Sequence, residues 1–267
     1  MTNFINRSFI AIIYSSIFLF SLFYNDKVFL GLGIVLTSLV ILEFIRISKL
    51  NFYNSFIGLT TYLMLIFFLE NESKLSNILL AMTLIINLYL FFNLILNKSF
   101  KFKKKFLFLI LIFHIILSLY FLFQLPFSQN NYNPLKILFL LVVIWSSDSA
   151  GYLIGIKLGK RKLMKSISPK KTIEGLIASL FFALIISLIF GIMTDYDNLL
   201  KLSLIGLFTA FLGSIGDLIE SKFKRQSGLK DSGKILKSHG GIYDRLDSLI
   251  FSAPFLYLMY SFNFLNF

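Results

Sequence analysis

Apolar stretches about 20 residues long, the length that crosses a bilayer's hydrocarbon core as a helix, recur from one end of this chain to the other. Few folds accept such a pattern. In hydrocarbon every backbone N–H and C=O must be satisfied within the protein, which leaves helices and closed barrels. The runs are continuous rather than alternating, so they read as helices. Composition agrees: 57% of the 267 residues are hydrophobic and 15% charged, where soluble domains keep roughly a quarter charged. The expectation is an all-α, polytopic integral membrane protein of about nine transmembrane helices, near 8–24, 28–45, 55–70, 76–96, 106–127, 135–156, 173–194, 199–220 and 248–265. Residues 1–267 form one membrane domain, with helices of unassigned role over 1–134 and the chemistry-bearing segments over 135–267. The first run, Phe9 to Tyr24, lacks a small-x-small cleavage site and is expected to stay as a helix. Without cysteine, disulfides, thiolate metal sites and cysteine nucleophiles are excluded.

The connections divide by charge. With nine spans, 22 of the 26 basic residues fall on one side, and only Lys27, Lys74, Lys136 and Lys201 on the other. The positive-inside rule then puts the N-terminus in the cytoplasm and the C-terminus outside it. Multi-pass insertion in the cytoplasmic (inner) membrane is the expected location. The run Lys98, Lys101, Lys103, Lys104, Lys105 suits anionic lipid headgroups. Two later basic segments also carry acids and glycines at tight spacing, and topology alone does not explain those.

The first holds Asp148 inside the sixth apolar run, where a carboxylate is expensive and so either functional or ion-paired within the bundle. Gly151, Gly155 and Gly159 make a small-xxx-small stripe for close helix packing. Ser168-Pro169 reads as a helix N-cap followed by proline at the first helical position. Lys170 and Lys171 would then lie in a first turn, where cations oppose the dipole unless an anion binds there. They read otherwise as positive-inside anchors.

The second segment is denser. Asp217, Glu220, Ser221 and Lys224 fall at i, i+3, i+4 and i+7, one face of a helix leaving the membrane. Asp244 and Asp247 share a face where the last helix re-enters. The 24 residues from 221 to 244 between them are rich in Lys and Gly. Hard oxygen ligands from separate helices suit Mg²⁺, with nearby Lys and Arg to hold phosphate charge. The pattern spells metal-assisted phosphoryl or nucleotidyl transfer at a membrane surface.

Ser221, Phe223, Lys224, Arg225, Lys230, Asp231, Gly233, His239, Gly240, Gly241, Ile242, Asp244, Arg245 and Asp247 run without a gap over 27 residues. This stretch closely resembles the signature of the phosphatidate cytidylyltransferase (CDP-diacylglycerol synthase) family. Asp148–Tyr152 and Ser168–Gly175 resemble that family's other conserved stretch. The resemblance implies transfer of CMP from CTP to phosphatidic acid, giving CDP-diacylglycerol and pyrophosphate in phospholipid biosynthesis. It implies Asp217, Asp244 and Asp247 as ligands of Mg²⁺, one ion or two. Lys224, Arg225 and Lys230 would contact phosphates, with Lys170 and Lys171 arriving from the other segment. Glu220 and Ser221 would support the ligands, and His239, Gly240 and Gly241 would shape the nucleotide pocket. Asp148, Ser168, Asp231 and Arg245 complete the expected substrate site. The implied partners are CTP, phosphatidic acid and membrane lipids, with no nucleic acid; a homodimer is left open. In one departure, Lys237-Ser238 replaces the family's usual Pro-Gly, losing a rigid turn and gaining a charge. Another CTP-dependent lipid enzyme of the same superfamily is the nearest alternative. A transporter using Asp148 fits less well, because the acids gather at one membrane face.

Overall fold

The structure, a computed structural model, describes the backbone of residues 2–69, 73–99, 102–233 and 240–262, and the side chains of these except 2–9 and 128–130. Its helices are α1 (Thr2–Tyr24), α2 (Asp26–Ser48), α3 (Tyr53–Phe68), α4 (Lys74–Ile95), α5 (Lys104–Ile110), α6 (Leu117–Gln124), α7 (Leu135–Leu158), α8 (Ile173–Met193), α9 (Leu199–Gln226) and α10 (Tyr243–Ser261). A π-helical turn, Leu111–Ile116, joins α5 to α6, so that Lys104–Phe127 makes a single span.

Six spans among the described residues are long and apolar enough to cross a membrane: α2, α4, Lys104–Phe127, α7, α8 and α9. The protein is therefore a helical, multi-pass membrane protein. α3 is apolar but shorter, and α1 is apolar over Ile10–Tyr24, the part of it whose side chains are described. Phe67, Phe68 and Met193 are more than two-thirds exposed, whereas Glu43, Asn87, His114 and Lys222 are buried. Apolar side chains face outward, as expected when lipid is the solvent.

Side-chain caps start the helices where the local sequence supplies them. Asn25 accepts from the Lys27 N–H to open α2, Ser73 from Ser76 to open α4, and Asn198 from Lys201 to open α9. His114 lies in the π-helical turn with Nδ1 2.7 Å from Asn87 Oδ1 of α4. It is a packing residue bonded inside the bundle.

The connection between α7 and α8 differs from expectation. Residues 168–172 are not the start of a helix. They form strand β2 (Ser168–Thr172), paired antiparallel with β1 (Lys162–Met164), Met164 opposite Ser168 and Lys162 opposite Thr172. Among the described residues this hairpin is the one exception to an all-α fold. The helix begins five residues after Ser168, because Thr172 is the residue whose hydroxyl caps it, accepting from the Gly175 N–H at 3.1 Å. Pro169 is tolerated in a short two-stranded edge because no ladder bond requires its missing N–H. Glu174, in the first turn of α8, accepts the Lys160 and Arg161 backbone N–H groups at 3.0 and 3.1 Å, pinning the hairpin's base.

α7 and α8 cross at their glycines. A Cβ on Gly175 would sit 2.7 Å from the Gly151 carbonyl oxygen, and one on Gly151 would run into Ser179 Oγ. The small-residue stripe thus works as a packing seam, and it brings Asp148 and the hairpin beside α9. α9 in turn lies against α10 through Gly216, where a Cβ would meet the Asp247 carbonyl.

Candidate active site

The end of α9 carries the expected face. Ser221 Oγ donates to Asp217 Oδ1 at 3.1 Å, and Lys224 Nζ reaches Glu220 Oε2 at 2.5 Å, both pairs one helical turn apart. From the start of α10, Asp244 Oδ1 meets the same lysine at 2.5 Å. Asp244 Oδ2 is filled from its own loop, accepting from the Gly241 N–H at 2.7 Å and the Ser232 N–H at 3.0 Å. Gly240 makes this turn possible, since its φ of +85° is a conformation that side-chain-bearing residues rarely adopt.

β2 supplies the opposing charge. Lys171 Nζ lies 2.7 Å from Asp217 Oδ2. Burial works to lower the Lys171 pKa, but the bonded Asp217 carboxylate, with Asp148 and Asp247 nearby, outweighs it and raises the pKa above the ordinary lysine value. The group therefore stays an ammonium ion at neutral pH. Alternation along the strand explains why Lys171 rather than both lysines makes this bond.

These elements wall an open cavity of about 690 Å³. Asp148 and the glycines of α7 form one side, Lys170 and Lys171 another, and Asp217, Lys224, Asp244 and Asp247 the third. Asp231 and Arg245 stand at its rim and are exposed. The structure thus brings together Asp148, Lys170, Lys171, Asp217, Lys224, Asp231, Asp244, Arg245 and Asp247 from the expected set. Others sit elsewhere. The Arg225 guanidinium donates to the carbonyls of Ile167 and Leu229, both at 3.3 Å, tying the hairpin's turn to α9. Ser168 pairs in the hairpin, and Lys230 is exposed outside the cavity wall. Glu220 and Ser221 lie buried behind Asp217 and Lys224, and Gly240 and Gly241 are buried in the turn before α10. His239, with Lys237 and Ser238, falls outside the described residues.

The carboxylates that converge are Asp217, Glu220 and Asp247, whose ligand oxygens lie within 4.8 Å of one another. Glu220 stands in this group where the resemblance implies Asp244, whose Oδ1 meets Lys224 and whose Oδ2 accepts from the turn before α10. Four carboxylates, Asp217, Glu220, Asp244 and Asp247, face two ammonium groups, Lys171 and Lys224. Hard oxygen donors with an excess of negative charge fit a small divalent cation such as Mg²⁺.

Two contributors were missed from sequence. Glu43, in α2, is 4% exposed and reaches the turn before α10. Ser232 is fully buried between Glu43 and Asp244, with Oγ 2.9 Å from a carboxylate oxygen of each. A lone acid in the apolar run Leu39-Val-Ile-Leu-Glu43 was the available signal, the same one that singled out Asp148.

Comparison with known proteins covers nearly the whole chain. Residues 5–263 match the model of the cytidylyltransferase family. A Bacillus subtilis protein named phosphatidate cytidylyltransferase is 33% identical over 271 aligned positions, spanning 97% of this chain and 98% of that protein. Proteins of the same name from Staphylococcus saprophyticus and Staphylococcus aureus are each 45% identical over 124 residues, covering 46% of this chain and 48% of theirs. With the lysine-bridged carboxylates set into one cavity and a family match running through every helix that builds it, this chain belongs to the cytidylyltransferase family.

Proposed function

We propose that this enzyme is a phosphatidate cytidylyltransferase, joining CMP from CTP to phosphatidic acid. The observation that carries the proposal is the cavity where Lys171 of β2 pairs with Asp217 of α9, and where Lys224 of α9 joins Glu220 behind the wall to Asp244 of α10. The near full-length relative that bears this name supports it.

In the proposed reaction a phosphate oxygen of phosphatidate forms a bond to the α-phosphorus of CTP, and the bond to the β-phosphate breaks, releasing pyrophosphate. A phosphate monoester has a second pKa near 6, so the attacking oxygen is already ionised at neutral pH and no protein base need remove a proton. The demand on the protein is to bring two polyanions together. Lys171, Lys170 and Arg245 on the cavity wall would take up phosphate charge. Lys224 would keep Glu220 and Asp244 aligned across the helix junction. Asp217, Glu220 and Asp247 would hold Mg²⁺, which supplies charge neutralisation at the phosphates.

The proposal extends to topology. Adding α1, α3 and α10 to the six long spans gives nine crossings. The basic segments around the cavity would then face the cytoplasm of a bacterial inner membrane, where CTP is available and the lipid headgroup lies at the interface. Purified protein supplied with CTP, phosphatidate and Mg²⁺ should form CDP-diacylglycerol. No product from folded protein would refute the assignment.

A further inference from the structure

Among the described residues, none from the first half of the chain lies on the wall of the catalytic cavity, yet one of its side chains reaches the turn that builds it. Glu43 lies near the C-terminal end of α2, surrounded by Val40, Ile41 and Phe44, all buried. Its carboxylate accepts the backbone N–H groups of Ile242 at 3.1 Å and Tyr243 at 2.8 Å. These are the N-cap and first residue of α10, whose N–H groups have no partner within the helix. A negative charge placed there also complements the helix dipole. Ser232 Oγ is 2.9 Å from Glu43 Oε2 and 2.9 Å from Asp244 Oδ2. Having one proton, the hydroxyl donates to one of the two at a time and couples their positions.

The seat is cut to fit. A Cβ on Gly233 would run into the Glu43 carboxylate, and one on Gly241 would strike both that carboxylate and Ser232 Oγ. Around it the Phe44 ring packs on Phe223 and Tyr243 at centroid distances of 5.6 and 6.2 Å. Ser227 Oγ donates to the Ile47 carbonyl at 2.5 Å, fastening the end of α2 to the end of α9.

We propose that Glu43 is a positioning residue for the active site: by capping α10 from another helix and sharing Ser232 with Asp244, it sets where Asp244 and Asp247 stand. Resting on the functional reading above, this gives the N-terminal helices a part in catalysis without any contact with substrate. Loss of such an outer partner typically costs about 10–100-fold in activity.

The test compares wild type, Glu43→Gln, Ser232→Ala, Glu43→Gln/Ser232→Ala and Gly241→Ala in detergent, each with its thermal midpoint. Steady-state kcat and KM for CTP and phosphatidate are measured, together with amide exchange over residues 240–247. Glu43→Gln should lower kcat by about 10–100-fold with KM for CTP changed by less than about threefold. The double variant should be no slower than the worse single variant, because both changes break one coupled unit. Gly241→Ala, which pushes a methyl group into the seat, should reproduce the loss even if Glu43→Gln folds poorly. Near-wild-type kcat in well-folded Glu43→Gln, or multiplicative losses in the double variant, overturns the proposal. A wild type that makes no CDP-diacylglycerol refutes the functional reading instead. Amide exchange then decides on Glu43: faster exchange of 240–247 in Glu43→Gln supports its role, and unchanged exchange overturns it.

Discussion

Lys224 Nζ lies 2.5 Å from Glu220 Oε2 and 2.5 Å from Asp244 Oδ1, so one ammonium group joins the end of α9 to the start of α10. All three side chains are at most one-tenth exposed. Removing one partner of a buried pair leaves an uncompensated charge and costs about 3–5 kcal/mol, whereas removing both sides can be nearly neutral. Lys224→Met should therefore lower the thermal midpoint sharply and abolish turnover. Lys224→Met/Glu220→Gln should recover part of the midpoint but not the activity. Equal midpoints for wild type and Lys224→Met would show that the bridge does not hold the two helices.

Lys171 and Lys170 separate in role because they occupy a strand. Lys171→Gln removes the ion pair with Asp217 and should reduce kcat/KM by at least about tenfold, the usual scale for a charge-assisted contact. Lys170→Gln should do less. Kinetics at limiting CTP and limiting phosphatidate distinguish the two; equal effects would mean that the strand geometry does not matter.

The glycine seam between α7 and α8 makes a stability prediction. Gly175→Leu drives a side chain into the Gly151 carbonyl and should cost about 1–3 kcal/mol or more from overpacking. The measurement is the thermal midpoint in detergent. Gly31, where an added Cβ would meet nothing within 4 Å, is the control: Gly31→Ala should leave the midpoint unchanged or raise it.

Much of this site was legible because it is periodic. Asp217, Glu220, Ser221 and Lys224 share a helix face by spacing alone, and the structure places them together at the end of α9. The hairpin was not legible, because Ser168-Pro169 carries the same signal as a helix start while the true cap, Thr172, stands next to an apolar run without special emphasis. Glu43 was hidden for a different reason. Its partners Ile242 and Tyr243 come about 200 positions later, and no local pattern announces a bond across that separation. Ser232 looked like a loop serine until the fold buried it between two acids.

The proposed sidedness rests on the 22-to-4 division of basic residues that nine spans would give. The chain is free of cysteine, so single replacements report cleanly. Ser232 is buried and unsuitable as a probe, but Lys230 and Asn131 are exposed. Lys230→Cys and Ser99→Cys should react with an impermeant thiol reagent only from the cytoplasmic side, and Asn131→Cys only from the other. Labelling of Lys230→Cys from outside would invert the topology and its account of CTP access.

The central claim is that the converging carboxylates of α9 and α10 carry CTP-dependent lipid chemistry, and its most direct test is CDP-diacylglycerol formation by purified wild type, Asp217→Asn and Asp247→Asn across a Mg²⁺ titration. Each substitution keeps the side-chain shape and removes a formal charge from the cluster. Wild type should convert CTP and phosphatidate to CDP-diacylglycerol and pyrophosphate and stop when the cation is chelated. The variants should be slower by about 10²–10³-fold, the scale of losing one preorganised electrostatic contact, with only partial recovery at high Mg²⁺. Near-normal synthesis at low Mg²⁺ by well-folded Asp217→Asn and Asp247→Asn would contradict the account.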